Sequence, residues 1–190
     1  MTGFERESVQ PGAADSGMPG VAAARSVGID AFRDALGRFV SGITVVTTRS
    51  SDGVDHAMTA NAFTSVSVDP FLVLVCVEKV ARFHEAVLDS GRWAVSVLAE
   101  NAIEASNWFA TRGRPLAGQL SGFPFTRGEE TGAPLLADAL ATIECGTTGV
   151  YDGGDHDILV GEVLSVAVPR PDDRPLVYFQ GKYHVLGDAT

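Results

Sequence analysis

Four histidines, His56, His84, His156 and His184, are the side chains in this sequence suited to holding or moving a proton near neutral pH. None belongs to an H-x-x-x-H pair or to a Cys/His set with metal-ligand spacing, so metal chemistry has little footing. His156 has the most suggestive setting. It closes Gly154-Asp155-His156 beside a glycine turn, at the mouth of a strand, where an imidazole projects either into a pocket or into solvent. Gly-x-Ser-x-Gly is absent, and Ser65-Val66-Ser67 belongs to a strand pattern, so no serine nucleophile is visible. Glu129 and Glu130 read as solvated loop carboxylates. Arg112 and Arg114, flanking Gly113, suit either a phosphate or the negative end of the preceding helix.

A second candidate is spread along residues 56 to 70, polar where a core strand should be apolar. At the two-residue period of a strand, Met58, Ala60, Ala62, Val66 and Val68 share one face with Thr64. Thr59, Asn61, Phe63, Ser65 and Ser67 share the other. The second face is a ladder of short donors and acceptors able to hydrogen-bond the edge of a flat, heteroatom-rich ring, with alanines that let such a ring approach the backbone. An antiparallel strand with one wet face accounts for the same pattern.

The elements that must position these groups are mostly strands. Asp30 is placed to N-cap a helix with apolar positions Phe32, Ala35, Leu36, Phe39 and Val40, ended by Gly42 and expected to lie on a sheet. Ile43 to Thr48 is a β-branched strand, and Ser51-Asp52-Gly53 is hairpin chemistry. Asp69-Pro70 breaks the polar ladder, and Phe71 to Val77, apolar on both faces, reads as a buried central strand. A short helix over 82 to 90, a strand from Trp93 to Leu98, and a helix opened by an Asn101/Glu104 capping box follow. Leu140 to Cys145 and Asp157 to Val168 form two more strands across a Gly-rich turn, and Leu176 to Tyr183 forms a last one. Hairpin-length turns and the lack of strand–helix alternation predict an antiparallel barrel with peripheral helices, mainly β.

Composition bounds the function. The 190 residues suffice for one domain, expected over 29 to 190, with residues 1 to 28 reading as a flexible leader that lacks the layout of an export signal. A formal charge of -10 with only 14 Lys and Arg argues against a nucleic-acid partner. No run approaches 18 apolar residues, which predicts a soluble protein with no membrane partner. A 45% hydrophobic content leaves apolar surface to spare for a subunit interface. Cys76 and Cys145 sit in apolar runs, compatible with free thiols in a reducing cytoplasm.

Residues 31 to 187 resemble the short-chain flavin reductases, the reductase components of two-component flavin-dependent monooxygenases, whose fold is the FMN-binding split β-barrel. The resemblance rests on four stretches in family order: Phe32 to Thr48, Met58 to Pro70, Gly154-Asp155-His156 with Val160-Gly161-Glu162-Val163, and Tyr178 to Tyr183. It implies a homodimer that reduces FAD or FMN with NADH, NADPH being the alternative donor, and hands the reduced flavin to a separate monooxygenase. By position, Met58, Thr59, Ala60, Asn61 and Ser65 would line the flavin ring and ribityl chain. Val77, Lys79, Arg82, Phe83 and His84 would cover its phosphate side, and His156 and Tyr183 would face the nicotinamide, His156 as the catalytic residue.

The chain departs from the family where two phosphate-binding hydroxyls are common, at Ala81 and Phe83. Lys79, Arg82 and helix amides would take over, and Phe83 stacking on an adenine would favour FAD. NADH is preferred because the sequence shows no arginine cluster for a 2'-phosphate. Two alternatives use the same barrel: an oxidase that keeps FMN tightly bound, and a non-catalytic flavin or haem carrier.

Overall fold

The computed structural model describes residues 27–187; the leader expected over 1–28 lies outside them except for Val27 and Gly28, as does the C-terminal tail over 188–190. Helix α1 (Ile29–Leu36) is followed by β1 (Ser41–Gly42), β2 (Thr44–Arg49), β3 (Asp55–Ala60), β4 (Phe63–Val68) and β5 (Phe71–Glu78). Then come α2 (Arg82–Ser90), β6 (Arg92–Leu98), α3 (Ile103–Ala110), β7 (Phe125–Arg127) and β8 (Pro134–Leu136). The long strands β9 (Ala139–Gly153) and β10 (His156–Ala167) and the hairpin β11 (Leu176–Phe179) and β12 (Lys182–Val185) complete the order.

Seven strands form one sheet in the order β3-β2-β6-β9-β10-β5-β4, and its strand pairs are antiparallel. Its two edge strands, β3 and β4, are consecutive in the chain and joined only by Asn61 and Ala62. Laid flat, the edges of seven strands would stand about 29 Å apart at the usual spacing, whereas three Cα steps reach about 11 Å. The sheet therefore has to curl until its edges approach each other at that link. Register shifts between Val160 and Gly161, and between Val163 and Ser165, bend β10 along the way.

The curl encloses a core of Val46, Val73, Val75, Val77, Phe83, Val87, Trp93, Val95, Cys145 and Leu159. A second core, with Ile43, Val45, Leu98, Phe109, Leu120, Leu136 and Leu176, lies on the other side of β2 and β6. Strand β2 feeds both, Val46 inward and Val45 outward, which is why its run is β-branched throughout.

Several expectations change. Helix α1 starts from Gly28 with Asp30 in its first turn, and it ends at Gly37 rather than Gly42. None of its residues is buried: Ile29, Phe32 and Leu36 are exposed, so no sheet among the described residues covers it. The 56 to 70 ladder is two strands instead of one, because the chain passes from one sheet edge to the other at Asn61-Ala62. Strand β5 buries only Val73, Val75 and Val77; its opposite face is partly exposed, since neither core reaches it. The capping box is not formed. Ala102 precedes α3 without a side-chain cap, because a turn from Ala99 to Ala102 delivers the chain one residue later than Asn101. The final strand is a hairpin turning at Gln180 and Gly181, both with positive φ, as a tight two-residue turn requires.

Candidate functional site

A cavity of about 420 Å³ opens where the curled sheet's edge link, the N-terminus of α2, the segment after α3 and the β9–β10 turn converge. That volume lies in the range of small-molecule sites, roughly 300–1,000 Å³.

Strand β3 forms one wall with His56 to Ala60, continued by Asn61 and Ala62. Its backbone is pinned from behind: the Thr44 hydroxyl donates to Ala60 O at 2.8 Å, and the Thr59 hydroxyl donates to Ser106 O at 2.6 Å. The second bond commits the Thr59 side chain to α3. Ala57, Ala60 and Ala62 keep the wall shallow, so that a flat ligand can approach main-chain groups. Asn61 stands exposed in the link itself.

The second wall is the β5–α2 junction with Glu78, Val80, Ala81, Arg82 and Phe83. Ala81 is the N-cap of α2 and makes no side-chain cap, so the first amides of that helix need partners from outside it. Amides and Arg82 together favour an anion.

The third wall runs from Phe109 to Gln119. Arg114 is held by Ala57 O, Thr111 O and the Gln119 amide oxygen, while its buried Nε has no partner. Burial first, then the Arg82 charge, lowers its pKa from the ordinary arginine value. Arg112 donates from Nη2 to both Glu78 oxygens, at 2.7 and 2.8 Å, across the mouth. His56 is likewise pushed down, by burial above all and by Arg82, against the opposing pull of Asp52 and Asp55. Three guanidinium groups thus converge on one cavity of a chain whose net charge is -10.

His156 completes the rim. It is the cross-strand partner of Glu78, and its Nδ1 lies 2.7 Å from Asp155 Oδ1. Nε2 is then the ring nitrogen left to meet a ligand.

Of the residues singled out by sequence, Met58, Thr59, Ala60, Asn61, Arg82, Phe83 and His156 line this cavity. Ser65, Val77, Lys79, His84 and Tyr183 do not. Ser65 is exposed on edge strand β4, and the Val77 side chain is fully buried in the inner core. Lys79 and His84 turn to acidic groups of the β9–β10 hairpin. Tyr183 meets Ser106 Oγ at 2.9 Å and donates to Asn107 Oδ1, bracing α3. Phe83 is only 3% exposed and packed in the inner core, so its ring is not open for an adenine to stack on. Folding also brings Arg82 to Arg112 and Arg114, a cluster that their order in the sequence does not show, with Arg112 paired to Glu78. Within the third wall only Arg112 and Arg114 carry a sequence signal for a phosphate; Phe109, Leu116 and Gln119 reach the cavity through tertiary packing that no local pattern announces. Among the described residues no group of three His, Cys, Asp or Glu could hold a metal, and no helix is long and apolar enough to cross a membrane.

The donor set fits a flavin: shallow alanine-lined wall, edge amide at Asn61, and uncapped helix amides with arginines for a phosphate tail. Comparison with known proteins points the same way. The family described as flavin reductase like domain matches residues 36–187. An "NADH-dependent FAD reductase" of Streptomyces globisporus is 41% identical over 152 residues, covering 80% of this chain and 82% of that protein. A solved structure of an NADH:FAD oxidoreductase from the same organism, in complex with NAD and FAD fragments, superposes with a TM-score of 0.78 at 37% identity, over 83% of this chain and 92% of that one. The reductase subunit of a flavin-dependent monooxygenase from Mycobacterium tuberculosis is 38% identical over 153 residues, 80% of this chain and 79% of that protein. A Rhizobium meliloti protein named "Probable flavin reductase" is 41% identical over 135 residues, 71% of this chain, but the chain spans only 42% of its length.

Proposed function

Because the chain belongs to the flavin reductase like family, we propose that it is an NADH:flavin oxidoreductase, reducing FAD or FMN and releasing the product to a separate flavin-dependent monooxygenase. The observation that carries this reading is the convergence on one cavity of the Asn61 link, the uncapped α2 N-terminus with Arg82, and the His156 turn.

A bound flavin supplies the hydride acceptor, and the protein's task is to bring the donor onto it in register. Asn61 hydrogen-bonds the edge of the ring, while Ala57, Ala60 and Ala62 let it lie against β3. The amides of Arg82 and Phe83, with the Arg82 guanidinium, hold the phosphate end. His156 Nε2 orients the nicotinamide at the rim. Thr59 contributes main-chain groups, its hydroxyl being engaged by Ser106 O. Tyr183 supports that wall through Ser106.

The assembly is a homodimeric split barrel in this reading. Support comes from apolar side chains that the described residues leave uncovered: Phe32, Leu36, Phe39 and Val40 at the N-terminal end, and Val66, Val68 and Phe71 along the β4–β5 edge. Cys76 and Cys145 are both free thiols, in keeping with a cytoplasmic setting.

The test is a steady-state assay crossing NADH and NADPH with FAD and FMN. NADH consumption should require added flavin and exceed that of NADPH. Equal NADH loss with and without flavin removes the reading.

A further inference from the structure

The turn that carries His156 is exposed, and packing does little to fix it: Asp152, Gly153, Gly154 and Asp155 all stand open to solvent. Beyond the ladder that pairs His156 with Glu78, the turn is held from the end of β5 by Lys79. The Lys79 main-chain N–H donates to Asp155 O at 3.0 Å. Its ammonium donates to Gly154 O at 2.8 Å, bonds the Asp152 carboxylate, and lies 3.5 Å from Asp157 Oδ1. An ammonium has three protons to donate, and three acceptors are in reach. The other oxygen of Asp157 is 2.7 Å from Nε2 of His84, on α2. Both sides of His156 are thereby tied to the segment whose next residues, Val80, Ala81 and Arg82, form the anion-favouring wall of the cavity.

We propose that Lys79 is a positioning residue: it straps the β9–β10 turn to the β5–α2 junction and so sets where His156 stands over a ligand held at that wall, with the Asp157–His84 contact as the second fastening. This rests on the role of His156 proposed above. Lys79 reaches a phosphate only by letting go of the turn, so its place is in nicotinamide alignment rather than in flavin binding. Exposed ion pairs add little to global stability, so the strap acts on the turn and leaves the fold almost unchanged when cut.

A double-mutant cycle on the full chain, with FAD and NADH, tests this. Lys79→Met should raise the KM for NADH about tenfold and change flavin affinity less than about twofold, since misplacing a reacting partner is costly while its binding partners remain. Lys79→Arg should restore most of the loss. Introduced into His156→Ala, Lys79→Met should change KM by less than about twofold, because coupled residues are non-additive. An equal loss in both backgrounds overturns the strap, as does a fall in flavin affinity as large as the change in KM. If His156→Ala alone leaves NADH kinetics untouched, the assignment of His156 falls and the strap falls with it. If His156→Ala slows the reaction but Lys79→Met acts independently, only the strap falls. Asp152→Asn loosens the same fastening without changing side-chain volume, and repeats the cycle should Lys79→Met fold poorly.

Discussion

The floor of the cavity and its rim are built by opposite means. The floor, where β3 meets α3 and the segment after it, is pinned by neutral or backbone acceptors with little access to water: Thr44 to Ala60 O at 2.8 Å, Gln119 Nε2 to Asp55 O at 2.7 Å, and Trp108 Nε1 to Gln119 O at 2.7 Å. The rim, the turn from Asp152 to Asp157, is held by charged groups, open to solvent at Asp152 and Asp155 and half-buried at Asp157. Leaving a buried donor or acceptor unpaired costs about 1–3 kcal/mol, whereas an exposed ion pair is worth about 0–1 kcal/mol. The floor can therefore keep the shape that recognises a ring, while the rim yields at small cost. That division suits a protein that must admit a nicotinamide and then let its flavin go.

The largest effect expected is at the rim, on the kinetics with NADH and not on stability. His156→Ala should slow hydride transfer about 100-fold in rapid-mixing experiments while shifting unfolding free energy by less than about 0.5 kcal/mol. A matching loss of stability would erase the distinction between rim and floor. In the inner core, Gly161→Ala should do the reverse. A Cβ there would stand 2.6 Å from Trp93 Cζ2 and 3.1 Å from Cys145 Cβ, so urea unfolding should show a loss of about 2–3 kcal/mol.

Asn61→Ala lies between the two. It should weaken flavin binding five- to tenfold, about 1–1.4 kcal/mol, and leave hydride transfer nearly unchanged at saturating flavin. Equal effects on binding and transfer would place Asn61 with His156.

The smallest effect is in acid. Asp155 is held below the ordinary aspartate value of 3.8 mainly by its hydrogen bond with His156, and Asp157 mainly by that with His84. Because these pKa values are depressed by folding, what they contribute is complete above about pH 4 and disappears as pH falls through the lowered values. Carboxyl resonances of the two residues should titrate below the ordinary aspartate range, and should do so before the far-UV spectrum changes on acidification. Normal titration of either would break the rim network at that residue.

Much of the frame was legible because it is local. The β-branched run of β2, the Ser51-Asp52-Gly53 hairpin, helix α2 and the Gly-Asp-His turn each carry their own short-range signal, and each is found where expected. What the sequence hid is set by distance along the chain. Arg112, Arg114 and Gln119 reach the cavity from about 50 residues beyond β3, and no spacing rule ties them to Asn61. The alternation over 56 to 70 records which way side chains point but is silent on which edge of the sheet the strand joins. Phe83 showed the same limit: an aromatic at a helix start is as apt for a core as for a ligand, and only its 3% exposure decides for the core. The glycine of Val160-Gly161-Glu162-Val163 finds its reason in the Trp93 ring, which no neighbour in sequence announces.

The two-residue link between β3 and β4 has a consequence for the unfolded chain as well as for the folded one. Joining the outermost strands covalently ties the two edges of the curled sheet together, with Asn61-Ala62 as the clasp. A circular permutant opened at that clasp, with its original ends joined, would retain every ladder hydrogen bond. It would nevertheless free the two edges to diffuse apart, and the penalty would appear as chain entropy that grows only logarithmically with the length of the new connection. The residue best placed to read a ligand is thus also one of the two that tie the edges of the sheet to each other.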